Sequence, residues 1–284
     1  MLNTAQKIAL ATLASRAVLL FRKMLGRPPE AEFTRRAIRW RLDLREGIDF
    51  SIYLLGAFEP ETVKAYSAIV KPGQTVLDIG ANIGAHTLPL AGLVGEAGKV
   101  FAFEPTAFAV RKCAANMALN ADLAARISLH QIMLVEKKGE SLPAGVFSSW
   151  PLIEAEALHE KHRGRLMDTK GARTATLDEM VAELKIDRID FIKLDVDGYE
   201  YPVLAGARAT LARYRPVIAM ELAPYVHAEH GHSLEELVSL LTASGYDLRH
   251  IDSHKPLSAD AAILRKLIPE GGSINVLAIP GGSA

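Results

Sequence analysis

Short apolar runs separated by glycine-containing turns mark the chain from residue 75 onwards. Runs that are apolar at nearly every position are typical of parallel strands covered on both faces, and the amphipathic stretches between them are typical of helices. Strands that alternate with helices predict an α/β fold with a doubly wound, Rossmann-like sheet. The predicted strands cover residues 75–79, 99–104, 127–135, 189–195, 217–221, 246–251 and 274–279.

The segment before this pattern differs, because residues 5–25 form an apolar stripe into which Lys7, Arg16, Arg22 and Lys23 are set. The stripe predicts a helix, and its apolar stretches are too short to cross a membrane, which takes roughly 20 residues. Two interpretations stay open. The helix packs on its own domain or on a second subunit as a homodimer, or it lies as a basic amphipathic helix on an anionic membrane surface.

Domain organisation follows from the same change of pattern. Residues 1–45 predict a basic, amphipathic N-terminal helical extension, in which residues 32–45 form a solvated helix or an edge strand. Residues 43–53 alternate loosely and predict an extended hairpin. Residues 46–284 predict one domain. Within it, residues 136–175 break the periodicity and predict a variable, substrate-facing insertion.

Composition narrows the class of protein. The 284 residues carry no net charge, so the whole chain lacks the basic signature of a nucleic-acid-binding protein. The charge is uneven, since residues 1–45 hold ten Lys or Arg and three acidic residues, a net charge of +7. Cys113 is the sole cysteine and cannot form an internal disulfide. We therefore expect a reducing, cytoplasmic location, with peripheral attachment to the inner membrane face as the alternative.

Residues 75–87 hold the strand, loop and helix start on which the functional argument depends. Gly80 and Gly84 let the backbone turn sharply, and Asp78 stands at the carboxyl end of the strand, where open α/β sheets bind ligands. A dinucleotide site needs G-x-G-x-x-G, whereas here three residues separate the glycines, with Asn82 in the middle. An acid before the loop would repel a pyrophosphate and favour a ligand with an ammonium and a sulfonium group. A NAD-type oxidoreductase stays the alternative.

Acidic residues also end other predicted strands. Glu104 ends the second strand, about 20 residues past the loop, at the position that binds ribose hydroxyls in nucleoside sites. Asp195 ends the fourth strand with Asp197 and Glu200 close behind, and Glu221 ends the fifth. Because the carboxyl ends of parallel strands meet at one edge of a sheet, we expect these carboxylates to share the ligand-binding edge.

The order and spacing of these motifs over about residues 50–280 resemble the FkbM family of class I S-adenosylmethionine (SAM)-dependent methyltransferases. The loop has the pattern D-x-G-A-N-x-G, and residues 193–200 follow K-x-D-x-E-G-x-E except that Asp197 replaces the usual Glu. The other positions that carry the resemblance are Glu59, Glu104-Pro105, Gly206, Arg215-Pro216 and Glu221. The resemblance implies a seven-stranded sheet with an antiparallel last strand. It also implies methylation, commonly of a hydroxyl on a sugar, lipid or natural product.

The resemblance and the chemistry of methyl transfer together suggest roles for the site residues. Asp195 is the first candidate for the catalytic carboxylate near the transferred methyl group, and Glu221 is the second. A Mg²⁺ ion held by these two carboxylates is an alternative way to activate the acceptor. We expect a small-molecule or glycan substrate and no nucleic acid, with N- or carboxyl-methylation on the same fold as the alternative. The expected cofactor-binding residues are Glu59, Asp78, Gly80, Ala81, Asn82, Gly84, His86, Glu104, Pro105 and Asp195.

Overall fold

A computed structural model describes residues 4–148, 150–152, 158–159 and 164–282 of the chain. Its strands are β1 Glu30–Arg35, β2 Ile38–Asp43, β3 Thr75–Ile79, β4 Lys99–Phe103, β5 Ile127–His130, β6 Ile132–Leu134, β7 Gly145–Ser148, β8 Arg165–Asp168, β9 Arg173–Ala175, β10 Phe191–Leu194, β11 Val217–Leu222, β12 Tyr246–His250 and β13 Ile274–Pro280. Its α-helices are α1 Thr4–Met24, α2 Gly47–Leu55, α3 Pro60–Ile69, α4 Thr87–Val94, α5 Ala107–Ala118, α6 Ala121–Ala124, α7 Leu177–Glu183, α8 Glu200–Ala205, α9 Arg208–Tyr214, α10 Pro224–His227, α11 Leu234–Ala243 and α12 Ala261–Leu267.

Seven of these strands form one sheet, in the order β12-β13-β11-β10-β3-β4-β5. The strands β11, β10, β3, β4 and β5 pair in parallel, whereas β13 runs antiparallel to both of its neighbours. The doubly wound α/β fold and the antiparallel last strand are thus confirmed. The predicted third strand is divided, because Gln131 interrupts the apolar run and its side-chain amide donates to the carbonyl of Lys170 at 2.9 Å. The second piece, β6, pairs with β9 outside the main sheet.

The core lies on both faces of this sheet. Successive residues of a strand point to opposite faces, so Val76 packs in one apolar cluster and Leu77 in the other. One cluster includes residues of α7, α8, α9 and α11, and the other includes residues of α2, α3, α4 and the β1–β2 hairpin. Because helices cover both faces of the sheet, a ligand can reach it at the carboxyl ends of the parallel strands.

The N-terminal region contains the predicted helix, α1, followed by a β-hairpin. The strands β1 and β2 pair antiparallel across Arg36 and Ala37, which both have positive φ. The side chains of Trp40 and Leu42 are buried in the core of the domain, while the boundary at residue 45 stays a prediction. Among the described residues, no helix is both long and apolar enough to span a membrane.

The prediction of an extended hairpin over residues 43–53 is wrong, because α2 occupies most of this segment. The helix buries the carboxylate of Asp49 together with three apolar side chains. The carboxylate accepts hydrogen bonds from the N–H of Asp43 at 2.7 Å and from Lys112 Nζ at 2.5 Å. Burial of Ile48, Phe50 and Ile52 therefore outweighs the loose alternation that suggested a strand.

Candidate active site

A cavity of about 830 Å³, partly open to solvent, lies at the carboxyl ends of β3, β4 and β10. This is the edge at which open α/β sheets bind ligands. Most of its walls are apolar side chains and loop backbone, and its charged groups include Glu104, Lys193, Asp195 and Asp197. Of the acidic residues predicted at this edge, Glu104, Asp195 and Asp197 line the cavity, whereas Glu200 and Glu221 do not.

The absence of a side chain at Gly80 lets the ends of two neighbouring strands approach each other closely. The φ of Gly80 is +85°, and a Cβ added there would lie 1.8 Å from the carbonyl oxygen of Asp195. The N–H of Asp195 donates to the carbonyl of Ile79 at 3.0 Å, and the N–H of Gly80 donates to the carbonyl of Phe103 at 3.0 Å. Glycine alone combines this left-handed backbone with so close an approach.

Glu104 holds the glycine loop in place. Its side chain is 3% exposed, and Oε1 accepts from the N–H and the hydroxyl of Thr106 at 2.9 and 2.6 Å. Oε2 accepts from the N–H of Asn82 at 3.0 Å. Burial raises the pKa of Glu104, and these hydrogen bonds partly oppose the rise. A carboxylate has about four lone-pair positions, so one acceptor position stays available for a ribose hydroxyl.

Asp78 lies behind the wall of the cavity rather than in it. The side chain is fully buried, and Oδ2 accepts a hydrogen bond from Thr87 Oγ1 at 2.5 Å. Its other oxygen, Oδ1, has no hydrogen-bond partner within the described part of the chain. Asp78 thus orients the start of α4, and direct contact with a ligand in the cavity would require rearrangement.

Gly84 also lies outside the cavity wall and has a packing role. Its φ is +88°, and an added Cβ would lie 3.1 Å from the Sγ of Cys113. The thiol of Cys113 is fully buried beneath the loop. Burial, followed by the nearby charges of Asp78 and Glu104, raises the pKa of this thiol to about 12.

Lys193 and Asp195 form an ion pair in the cavity wall, with the lysine buried and the aspartate 19% exposed. Lys193 Nζ donates to Asp195 Oδ2 at 2.5 Å, and the lysine is 3% exposed. Burial lowers the pKa of Lys193, but the carboxylates of Asp195, Glu59 and Asp78 raise it by more, so the amine stays protonated. Sequence reasoning missed this role of Lys193. The available signal was a lysine inside an apolar strand, two residues before an acid and hence on the same face.

A second, smaller cavity, which as it stands does not admit a water molecule, shares Lys193 and Asp195 as lining residues. Its other polar lining residues are Glu59, Thr62, Glu221 and Asn275. Burial raises the pKa of Glu221 well above its usual range, and the charges of Asp195 and Glu59 raise it further. In the part of the chain that the structure describes, Glu221 forms no ion pair with a cation, unlike Asp195.

Glu59 connects this small cavity to the glycine loop. Its Oε2 lies 3.6 Å from His86 Nε2, and its Oε1 accepts from the Asn275 amide at 3.2 Å. The other ring nitrogen of His86, Nδ1, lies 3.4 Å from the hydroxyl of Tyr66. Burial acts to raise the pKa of Glu59, but His86, Lys193 and Asn275 outweigh it and lower the pKa to about 2.

The insertion contributes part of the wall of the larger cavity. Ser148 Oγ accepts from the Asn82 side-chain amide at 3.2 Å, which ties the insertion to the glycine loop. The Trp150 ring stacks on Phe58 with centroids 6.0 Å apart, and both rings line the cavity. These contacts support a substrate-facing insertion, which stays a prediction. The periodicity of the sequence does not predict the contacts of Ser148 and Trp150.

The acids that follow β10 have different surroundings. Asp197 lines the larger cavity, whereas Glu200 is 1% exposed and accepts from the N–H of Val196 at 3.1 Å. The second carboxylate oxygen of Glu200 lies 3.2 Å from Nδ1 of the fully buried His227. Since Nε2 of His227 accepts from the N–H of Ala223 at 3.3 Å, the ring proton is assigned to Nδ1, facing Glu200. Glu200 and His227 are thus structural partners.

The predicted site residues fall into three groups. Lining the larger cavity are Gly80, Ala81, Asn82, His86, Glu104, Pro105 and Asp195. Glu59 and Glu221 line the smaller cavity together with Asp195, whereas Asp78 and Gly84 line neither. Within the described ranges, no group of three or more His, Cys, Asp or Glu is arranged to hold a metal ion. The structure therefore gives no support to the alternative with Mg²⁺.

The strand order, the antiparallel β13 and the acidic glycine loop define a class I SAM-dependent methyltransferase fold. Comparison with family profiles makes this more specific. The profile described as the methyltransferase FkbM domain matches residues 78–248, which is more than half of the chain. The protein belongs to the FkbM methyltransferase family, as the sequence motifs imply.

Two curated relatives are similar over part of the chain. The 2-O-methyltransferase NoeI of Sinorhizobium fredii is 28% identical over 160 residues, which cover 52% of this chain and 63% of NoeI. The AMB antimetabolite synthetase AmbE of Pseudomonas aeruginosa is 27% identical over 197 residues, which cover 57% of this chain and 9% of AmbE. The chain thus spans less than two thirds of either relative.

Solved structures with similar folds are more distant in sequence. The FkbM methyltransferase of Methylobacillus flagellatus KT is 17% identical, with a TM-score of 0.42, over 76% of this chain and 50% of that chain. A SAM-dependent O-methyltransferase of Thermotoga maritima is 13% identical, also with a TM-score of 0.42, over 92% of this chain and 82% of that chain.

Proposed function

We propose that this protein is a SAM-dependent O-methyltransferase that acts on a hydroxyl group of a sugar-like small molecule or glycan. The observation that carries the proposal is the Lys193–Asp195 ion pair, which lines both cavities at the ligand edge of the sheet. Membership of the FkbM family and similarity to a 2-O-methyltransferase support methyl transfer to a hydroxyl.

The residues of the larger cavity fit SAM. Glu104 has an acceptor position for a ribose hydroxyl, and the side-chain oxygen of Asn82 is buried without a hydrogen-bond partner among the described residues. Phe103 and Met133 offer apolar contact for a base. The close backbone approach at Gly80 places Asp195 beside the loop. When bound, SAM supplies a methyl group that is already activated on a sulfonium, whose positive charge suits this acidic edge.

The proposed mechanism divides two tasks between two carboxylates. Lys193 holds the carboxylate of Asp195 in one orientation, so Asp195 is suited to position the acceptor hydroxyl for in-line transfer. Glu221 has no such cation partner, and its pKa is raised by burial and by Asp195 and Glu59. Glu221 lines the smaller cavity beside Asp195, so we assign to it the acceptance of the hydroxyl proton as the methyl group is transferred.

Calorimetric titration of the full chain tests the cofactor. We expect SAM to bind and NADH not to bind. Glu104→Ala should weaken SAM binding at least tenfold, because it removes the ribose acceptor and releases the loop. Asp122→Ala, which removes an exposed acid on α6, is the matched control and should bind SAM normally. Binding of NADH alone would instead identify a nicotinamide-dependent oxidoreductase.

Incubation with methyl-labelled SAM and a panel of oligosaccharides tests the reaction. We expect label in an alkali-stable ether, and Asp195→Asn should reduce the rate of transfer far more than SAM affinity. Alkali-labile label would indicate a carboxyl-methyltransferase, and label on an amine would indicate an N-methyltransferase. A rate for Asp195→Asn equal to that of the wild type would contradict the assigned role of Asp195.

A further inference from the structure

Helix α1 presents an apolar face to solvent. Leu13 is 69% exposed and Met24 is 76% exposed, which is unusual for side chains of this size. Residues three and four apart lie on the same side of a helix, so the exposed apolar residues form one continuous arc. The arc consists of Leu10, Leu13, Ala17, Leu20, Phe21 and Met24.

The domain itself covers the opposite side of α1. Ala11, Ala14, Val18 and Leu19 pack against the hydrophobic core. One buried hydrogen bond also fixes the helix in this orientation, since Ser15 Oγ donates to the carbonyl of Leu44 at 2.7 Å. The helix therefore cannot turn its exposed arc inward without breaking these contacts.

Cations without partners flank the arc. Arg16 and Lys23 are exposed on α1, and Arg27 follows just after the helix. Within the described part of the chain, their side chains make no ion pair or hydrogen bond. By contrast, the acids of the following strand, Glu30 and Glu32, are already paired with arginines of the hairpin. The positive charge beside the arc is thus available to bind an external anion.

We propose that this face of α1 docks on an anionic membrane surface. An interfacial helix needs an apolar face that enters the lipid boundary and cations that contact the headgroups, and both are present. A second copy of the chain fits less well. A symmetric pair would bring two sets of cations together, and α1 contains no acidic residue to neutralise them. An anionic lipid supplies the missing negative charge in its headgroup, and its acyl chains cover the exposed apolar arc.

Flotation of the full chain with vesicles tests the docking. One set of vesicles contains phosphatidylcholine alone and the other contains phosphatidylglycerol as well. We expect flotation with the anionic set only, weakening as salt is added. The double variant Arg16→Glu/Lys23→Glu should lose about 30-fold or more in vesicle affinity, since each cation contributes roughly a factor of five. Leu13→Ser/Leu20→Ser should also detach the protein.

Matched controls on other surfaces should float like the wild type. These are Ile263→Ser/Leu267→Ser, which removes exposed apolar side chains from α12, and Arg208→Glu/Lys266→Glu. Equal flotation with both vesicle types, or no flotation at all, would overturn the proposal. A dimer in sedimentation velocity that Leu13→Ser/Leu20→Ser dissociates, without vesicle binding, would identify a second copy as the occupant. The measurement uses no methyl donor, so its outcome is independent of the proposed reaction.

Discussion

Replacing Gly80 by alanine tests whether close approach of two strand ends builds the site. An alanine Cβ would lie 1.8 Å from the carbonyl oxygen of Asp195, whereas real Cβ contacts essentially never fall below 3.0 Å. The ends of β3 and β10 must therefore separate by about 1.2 Å, the difference between these two distances. That movement displaces Asp195 and strains the hydrogen bond from its N–H to Ile79.

The chain offers a matched control in Gly73. Its φ is +82°, close to the +85° of Gly80, but nothing lies within 4 Å of an added Cβ. Both alanine variants bear the cost of a left-handed backbone, about 1–2 kcal/mol. Gly80→Ala alone adds overpacking, roughly 1–3 kcal/mol. A displacement of about 1 Å at a reacting group can also reduce catalysis about 10²-fold.

Urea unfolding and calorimetric titration with SAM measure the two effects. We expect Gly80→Ala to lose more free energy of unfolding than Gly73→Ala and to bind SAM at least tenfold more weakly, because the cavity wall has moved. Gly73→Ala should bind SAM like the wild type. If the two variants lose equal stability and both keep their SAM affinity, close approach is not the reason for glycine at residue 80.

Two further predictions concern the carboxylates of Glu59 and Glu200. The pKa of Glu59 falls from 4.5 to about 2 on folding, so its stabilising effect is complete above about pH 4.5 and is lost as the pH falls toward 2. The stability difference between wild type and Glu59→Gln should therefore be larger at neutral pH than near pH 3 in urea unfolding, and a constant difference would refute this. His227→Ala leaves one oxygen of the buried Glu200 carboxylate without a partner, so it should cost about 3 kcal/mol of unfolding free energy. The same measurement on His232→Ala, at a half-buried site, should show a smaller loss, and equal losses would contradict the pairing.

The parallel strands could be predicted because both of their faces are buried. In β3 and β10 nearly every side chain is enclosed, and the resulting apolar runs are visible in the sequence. Residues 43–53 were not predictable in this way. Their alternation fits a strand, but the helix there packs in the core and places Asp49 against Lys112, which is far away in the chain. Local pattern carries no information about such a partner.

The candidate site was predictable to a similar extent. Gly80, Glu104 and Asp195 could be identified because a strand end followed by a turn fixes which residues face the cavity. Asp78 stands at the same kind of position, yet its side chain points into the core and bonds to Thr87. The contributions of Ser148 and Trp150 depend on how the insertion folds back over the loop, which its irregular sequence does not reveal.

Cys113, the only cysteine of the chain, lies beneath the glycine loop, and its chemical labelling measures how often that loop opens. Cys113 is enclosed, and its high pKa keeps it protonated, so a thiol reagent can modify it only in molecules whose packing has opened transiently. The labelling rate therefore measures the population of open molecules without any engineered probe. A ligand that closes the cavity should slow the labelling in proportion to its occupancy, whichever acceptor the enzyme uses.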